Sequence, residues 1–471
     1  MEIPERVFLE AIQSAMAVVF VPFQDAPTFQ KAGHPQANER IDLNCCGGFK
    51  IMYPFIPGPT ISRTMASISS TRRHFLTQCC SALLAGVAIN PLAAVFAQTS
   101  RSDRAITITG MEVLAVDVTE RTNWIFVRLT ASNGVTGLGE ASLGRRSELN
   151  ELNEFFRMVD GESAFDINQY RSRAWSRASS GNRVLATAFS SIEQALWDIV
   201  GKTLQVPLYQ LFGGKLRDTL PVYANINRAT SNRTPAGFAE NARLAVADGF
   251  RALKAAPFDG FPALTASAHE IDAARQLGVD CVFAMRDAVG DDVAIKIDAH
   301  SFFDVDLSIE VARELQPVNL SWYEEPVAPS QTENTRLIHD AVTQTMAGGE
   351  FLFGVDGFAP LCQNHAVDII MPDVKHCGGL LEALRISTIA EANGVLVSPH
   401  NPSGPVSTAA SAALCAALPN FDILEFQWGE QVWRGTLVNP RELFEDGSIT
   451  VSELPGIGIN LDAEVLMDHR A

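Results

Sequence analysis

Acid and base side chains recur through the second half of this chain at nearly constant intervals, each at the end of a short apolar run. Asp298 closes Val293-Ala-Ile-Lys-Ile-Asp298, Glu324 closes Leu320-Ser-Trp-Tyr-Glu324, and Glu350 follows Met346-Ala-Gly-Gly. Asp373 closes Ile369-Ile-Met-Pro-Asp373, His400 closes Val395-Leu-Val-Ser-Pro-His400, and Glu425 follows Phe421-Asp-Ile-Leu. The successive steps are 26, 26, 23, 27 and 25 residues. One strand, one helix and two short loops fill such a step. Parallel strands built at that interval bring their C-terminal ends, and with them these side chains, to one rim.

The runs 220–225, 252–257, 293–298, 320–324, 345–350, 368–373, 394–399 and 423–427 therefore read as eight parallel strands, a barrel over residues 216–427. Upstream, Ile106-Thr-Ile, Met111-Glu-Val-Leu-Ala-Val and Trp124-Ile-Phe-Val-Arg-Leu alternate as antiparallel strands, with a hairpin turn at Ser132-Asn133-Gly134. Helical spacing follows over 147–212, clearest from Ala186 to Leu211 with Ile192, Ala195, Leu196 and Ile199 on one face. Residues 98–215 thus form a small α+β domain, and the turn-rich tail 428–471 is expected to pack back on it. The glycines of Gly134-Val-Thr-Gly-Leu-Gly139 have the wrong spacing for a dinucleotide fingerprint and read as turn and strand-end glycines.

A formal charge of −18 argues against nucleic acid or an anionic membrane as partner. It also means that an anionic substrate needs a local cation. Thr71-Arg72-Arg73-His74-Phe75-Leu76 precedes the soft apolar stretch Cys79–Ala97. That order reads as a twin-arginine export signal over 65–97, with Met65 as the true start and residues 1–64 as upstream translation. The alternative is a surface arginine pair before a buried helix, but Asn90-Pro91 breaks such a helix. The expected location is the periplasm, with no membrane anchoring once the signal is removed. Cys281, Cys362, Cys377 and Cys415 lack zinc-like pairing and read as buried small hydrophobes.

Three converging carboxylates, Asp298, Glu324 and Glu350, repel one another unless a hard divalent cation compensates them, and oxygen-only ligation points to Mg²⁺. Taken singly, each is equally a helix N-cap or a salt-bridge partner; the shared interval favours the metal. In Tyr323-Glu324-Glu325-Pro326 alternation aims one glutamate inward, and the interval selects Glu324. Asp373 beside His400 would fix one imidazole tautomer and raise the basicity of the other nitrogen, making a general base. His300 shares the side of Asp298 and would reach the same substrate or orient a metal ligand. Lys254 ends the second strand, where an ammonium can hold a carboxylate oxygen as charge builds on it; an ordinary strand-end lysine is the alternative.

These residues, with Gly134-Val-Thr-Gly-Leu-Gly-Glu140, Ala195-Leu-Trp-Asp198, Leu211-Phe-Gly-Gly-Lys, Gly378-Gly379 and Pro399-His-Asn-Pro-Ser-Gly-Pro405, resemble the mandelate racemase group of the enolase superfamily, closest to its galactonate-dehydratase-type members. The resemblance implies an α/β fold, a modified TIM barrel (β/α)7β with an N-terminal α+β capping domain completed by 428–471. It makes Asp298, Glu324 and Glu350 ligands of one Mg²⁺, and His400 with Asp373 the base dyad. His300 becomes the acid at the leaving hydroxyl, Lys254 a stabiliser of the enediolate, and Glu425 a hydrogen-bonding group beside it. The implied reaction takes the proton α to a sugar-acid carboxylate and expels the β-hydroxyl, giving a 2-keto-3-deoxy acid. A homo-oligomer is also implied, and loops near Arg145, Arg146 and Arg183 would set substrate choice.

One position departs from the racemase pattern. Racemases carry Lys-x-Lys on the second strand, and here the second lysine is replaced by Ala256. Proton transfer between two faces of one carbon is thereby disfavoured relative to elimination. Cycloisomerisation of an anhydro-aldonate, racemisation or epimerisation, and a sugar-acid-binding protein without turnover are the competing readings. A glycosidase using Glu324 and Glu350 leaves the His400–Asp373 pair and Asp298 without roles.

Overall fold

The computed structural model describes residues 106–120, 122–143, 149–442 and 444–471. The expected upstream segment 1–64, the expected export signal 65–97 and the loop arginines Arg145 and Arg146 lie outside the described residues. No described helix is long and apolar enough to cross a membrane.

Three antiparallel strands, β1 (Ile108–Asp117), β2 (Asn123–Ala131) and β3 (Thr136–Glu140), form a sheet in that order. The sequence suggests two strands where β1 is one, because a register shift between Ile108 and Gly110 absorbs the interruption. Helices α1 (Leu149–Phe156), α2 (Ile167–Ala178) and α3 (Arg183–Leu204) cover the sheet. The Asn182 side chain caps α3 by accepting the Val184 N–H at 2.9 Å, and Ile192, Ala195, Leu196 and Ile199 are buried as their spacing predicts. A Cβ at Gly137 would stand 2.1 Å from the Ala195 carbonyl oxygen, and one at Gly139 1.9 Å from that of Ser191. These glycines let β3 lie directly on the α3 backbone, which accounts for their spacing without a nucleotide. The helix stops at Leu204 instead of running to Leu211. Gln205 takes a left-handed conformation, φ 57°, and Pro207, which has no N–H to donate, precedes the short α4 (Leu208–Leu211).

Eight parallel strands follow: β4 (Thr219–Asn225), β5 (Ala252–Ala255), β6 (Ala294–Asp298), β7 (Trp322–Glu324), β8 (Met346–Gly348), β9 (Ile369–Ile370), β10 (Leu396–Val397) and β11 (Leu424–Gln427). The helices between them are α5 (Pro235–Ala247), α6 (Ala268–Val289), α7 (Val305–Glu314), α8 (Thr332–Ala341), α9 (Gly354–Gln363), α10 (Gly379–Ala392) and α11 (Pro405–Ala417). Neighbours pair in sequence order from β4 to β10, β11 pairs β4, and a bridge from Val397 to Phe421 brings β10 beside the entry to β11. This is the expected (β/α)7β barrel. Tyr223, Ala252, Trp322, Ala347, Ile369 and Met371 pack in its interior, with the Tyr223 and Trp322 rings edge to face at 5.2 Å. The barrel is therefore plugged, and its C-terminal rim is a cup with a floor.

The tail reaches both parts of the molecule. β12 (Val438–Asn439) pairs β15 (Asn460–Leu461), and β13 (Phe444–Glu445) forms a hairpin with β14 (Ser448–Thr450). β4 begins five residues before its pairing with β5 starts at Ala224, and β14 covers that open edge antiparallel at Thr219–Pro221. After α12 (Ala463–Asp468), the Ala471 N–H donates to the Ala115 carbonyl at 2.9 Å, tying the chain end to β1.

Buried carboxylates hold the N-terminal unit to the barrel. Glu140, at the end of β3, accepts the N–H groups of Gly404 at 2.7 Å and Ser407 at 2.8 Å, which open α11. Glu193 on α3 does the same for Leu380 at 2.7 Å and Leu381 at 2.9 Å at the start of α10. A carboxylate at a helix N-terminus satisfies orphan donors and meets the positive end of the helix dipole. Asp198 joins the Leu138 N–H of β3 to the Ile457 N–H of the tail.

Glu140→Ala leaves two buried N–H groups without acceptors and should lower unfolding free energy by about 2–4 kcal/mol. Glu112→Ala, which breaks an exposed pair with Arg128, should cost under about 1 kcal/mol. Urea denaturation of both variants checks this, and equal losses would dismiss the clamp.

Candidate functional site

Every residue singled out by the interval reaches the C-terminal rim, because paired residues in parallel strands point the same way. Asp298 is the direct partner of Glu324 across β6 and β7, and Asn225 is that of Lys254 across β4 and β5. Lys254, Asp298, Glu324, Glu350, Asp373, His400 and Glu425 are all buried. Lys254, Asp298, His300, Glu350 and His400 line a cavity of about 200 Å³ roofed by Trp124 and Ser142 of the N-terminal unit.

His400 donates or accepts at both ring nitrogens. Its Nδ1 is 2.8 Å from Asp373 Oδ2 and its Nε2 is 3.1 Å from Glu350 Oε2. Burial opposes charging the ring, but Glu350 and then Glu425 push its pKa up to about 10. Burial likewise opposes ionisation of Glu350, yet His400 draws it down to about 2. A free-base His400 at neutral pH thus requires another positive charge to offset Glu350.

His300 stands across the cavity with φ 45°, its N–H on Asp298 Oδ1 at 2.8 Å and its Nε2 3.0 Å from Asp298 Oδ2. Its Nδ1 bonds Asp259, which also accepts from Asn227 Nδ2 at 2.9 Å. Burial disfavours the imidazolium, but Asp298 and Asp259 outweigh it and push the pKa up to about 12. Each histidine is therefore backed by its own carboxylate.

Lys254 Nζ sits among carboxylates, 2.9 Å from Glu324 Oε1, 3.3 Å from Glu425 Oε1 and 3.7 Å from Asp298 Oδ2. Among the described residues, Asp298, His300 and Glu350 offer ligand atoms within 4.8 Å of one another, the spacing a metal ion needs. Glu324 adjoins this group but gives Oε1 to Lys254 and Oε2 to the Trp322 indole N–H at 3.0 Å. Burial, followed by the negative charges of Asp298 and Glu350, drives its pKa well above the usual carboxylate range. Such mutual repulsion in a buried oxygen-rich cluster fits a hard divalent cation.

Glu325 bonds the Gly349 and Glu350 N–H groups at 2.7 and 3.1 Å, shaping the loop that presents Glu350. Glu425 accepts from Asn225 at 2.6 Å and from the Asn401 N–H at 2.7 Å, so it ties Lys254 to the His400 loop. The guanidinium of Arg183 lies 3.2 Å over the Phe351 ring at the rim. Ala256 is buried, and its carbonyl accepts from Arg233.

Sequence reasoning missed Asp259 as the partner of His300, because it lies in the loop after β5 rather than at a strand end. It also missed Lys375, whose Nζ is 3.0 Å from Asp373 Oδ2 and which lines the cavity. Lys375 is two residues past a strand end, where an interval argument does not look. The Asp-x-Lys turn, closed by the Lys375 N–H on Asp373 Oδ1 at 2.7 Å, is the signal that exposes it.

Residues 98–213 match the N-terminal domain of mandelate racemase / muconate lactonizing enzyme, and residues 237–465 the enolase C-terminal domain-like family. A D-xylonate dehydratase of Haloferax volcanii is 33% identical over 74% of this chain and 85% of its own length. A D-gluconate dehydratase of Thermoproteus tenax is 34% identical over 74% and 70%, and a D-galactonate dehydratase of Ralstonia pickettii 30% over 74% and 91%. The crystal structure of a mandelate racemase/muconate lactonizing enzyme from Jannaschia sp. CCS1 superposes with a TM-score of 0.70, at 28% identity, over 78% of this chain and 98% of that one. The chain belongs to the mandelate racemase/muconate lactonizing enzyme family of the enolase superfamily.

Proposed function

We propose that this enzyme is a Mg²⁺-dependent hydro-lyase that dehydrates an aldonate-like sugar acid to a 2-keto-3-deoxy acid. The observation that carries the reading is the pair of carboxylate-backed imidazoles, His300 and His400, facing one cavity with the Lys254 ammonium. The sugar-acid dehydratases similar to this chain support the same chemistry.

Asp298, Glu324 and Glu350 would hold the metal, which when bound withdraws charge from the substrate carboxylate. Lys254 donates to that carboxylate as negative charge builds on it. Asp373 accepts the His400 Nδ1–H, so the lone pair of the neutral ring lies on Nε2, which takes the proton from the α-carbon. The released electron pair enters the carboxylate as an enediolate. Its collapse forms the α,β double bond and breaks the β-carbon–oxygen bond, while His300 gives its proton to the departing hydroxyl, which leaves as water. The enol then becomes the 2-keto acid. Glu425 acts through Lys254 and Asn401 by fixing their positions. Trp124 and Ser142 line the cavity from the N-terminal unit.

D-xylonate, D-gluconate and D-galactonate should be tested for 2-keto-acid formation. Chelation by EDTA should abolish it and Mg²⁺ restore it, whereas full turnover of metal-free protein would refute the metal site.

His400→Ala should abolish exchange of the α-proton with D₂O. His300→Asn should retain exchange while elimination falls roughly 10²- to 10⁴-fold, with Asp259→Asn showing a smaller loss of the same kind. Equal loss of exchange and elimination in His300→Asn, followed by NMR, would remove it from the acid role.

We also propose export to the periplasm by the twin-arginine route, from Arg72-Arg73 ahead of Cys79–Ala97. A reporter fused after residues 65–104 should reach the periplasm, and its Arg72→Lys, Arg73→Lys form should stay in the cytoplasm. Export of the substituted form would discard the signal.

A further inference from the structure

Lys375 is a buried cation that lines the cavity and that the proposed reaction does not use. It is 2% exposed. Its ammonium has three N–H donors. One goes to Asp373 Oδ2 at 3.0 Å, and a second points toward His376 Nε2 at 3.5 Å. The tautomer of His376 follows from its other nitrogen. Thr187 Oγ1 donates its hydrogen to the Arg183 carbonyl at 2.8 Å, so the 2.9 Å contact with His376 Nδ1 must be a donation from the ring. The Nε2 lone pair of His376 therefore faces Lys375. Asp373 and His376 hold the ammonium in place and leave its third N–H for the cavity that Lys375 lines.

The position of this N–H within the barrel is specific. Lys254 belongs to β5 and Lys375 follows β9, four strands further round a closed barrel of eight, so the two ammonium groups lie on opposite sides of the cup. Lys375 Nζ and His400 Nδ1 share the same Asp373 oxygen, at 3.0 and 2.8 Å. An oxygen within reach of Lys375 thus sits on a carbon close to the one that meets His400. Burying an ammonium is costly unless its donors are used, and a substrate hydroxyl satisfies the one that protein atoms leave over.

We infer that Lys375 is a substrate-binding residue that donates to a chain hydroxyl of the sugar acid, opposite the carboxylate anchor at Lys254, and so selects polyhydroxylated acids over short 2-hydroxy acids. This rests on the sugar-acid reading above. A purely structural lysine, by contrast, would serve to steady Asp373 and, through it, His400.

The test compares Lys375→Met and Lys375→Gln with the unsubstituted enzyme. Turnover is followed on whichever of D-xylonate, D-gluconate and D-galactonate reacts, and 2-hydroxybutanoate, which has no chain hydroxyl, serves as competitive inhibitor. Lys375→Met should raise KM about tenfold or more while kcat stays within roughly threefold, the signature of lost binding rather than lost chemistry. Lys375→Gln, which keeps a donor, should fall between the two, and the inhibition constant of 2-hydroxybutanoate should not move. A fall in kcat as large as that in kcat/KM, or a parallel weakening of 2-hydroxybutanoate, overturns the assignment and makes Lys375 a support for Asp373. If the unsubstituted enzyme acts on none of the three aldonates, the sugar-acid reading fails and this inference with it. If it acts on one and the variants show the wrong pattern, Lys375 alone is removed.

Discussion

The site depends on buried carboxylates that fasten one part of the chain to helix N-termini in another. Glu140 and Glu193 accept four backbone N–H groups at the starts of α11 and α10. Those helices begin within a few residues of His400 and of Asp373 with Lys375. The same bonds that dock the N-terminal unit thus set the two loops that carry Asp373, Lys375 and His400. Few apolar contacts have this directional precision, since dispersion and burial are tolerant of small slides. The glycines at 137 and 139 serve the clamp as well, because β3 must ride on α3 for Glu140 to reach its partners.

Below the rim, aromatic rings pack around the buried Lys296 ammonium, which lies 4.3 Å from the Trp322 ring centroid. The Trp322 indole supports Glu324 from the barrel interior, and Tyr223 packs on Trp322. Above it stands a group of acids and bases that would be unstable in isolation. Glu324 and Glu350 are neighbours in the same ring, yet burial and charge push their pKa values in opposite directions. Such divergence within one buried ring is common at functional sites.

The barrel was legible because parallel strands buried on both faces read as apolar runs, and the polar residue ending each run marks the rim. All of Lys254, Asp298, Glu324, Glu350, Asp373, His400 and Glu425 were found in that way. What escaped lies off the strands. Lys375 and Asp259 occupy loops, where local turns and long-range partners decide direction and no periodicity reports it. The division of the Ala186–Leu211 helix at Gln205 escaped because apolar spacing persists through a break made by one left-handed residue and a proline. The tail strand on β4 was hidden for another reason: three residues, Ser448–Thr450, are too few to show alternation.

Ala256 carries a consequence for which molecules the enzyme will recognise. At the position where racemases carry a second lysine stands a buried alanine, whose carbonyl accepts from Arg233. With His400 as the proposed base, hydrogen would be removed from a single side of the substrate plane. A sugar acid whose C2 hydrogen points the other way would sit in the cup untouched. Offered a mixture of the two C2 configurations, the enzyme should consume one and leave its mirror-related partner at that carbon in solution.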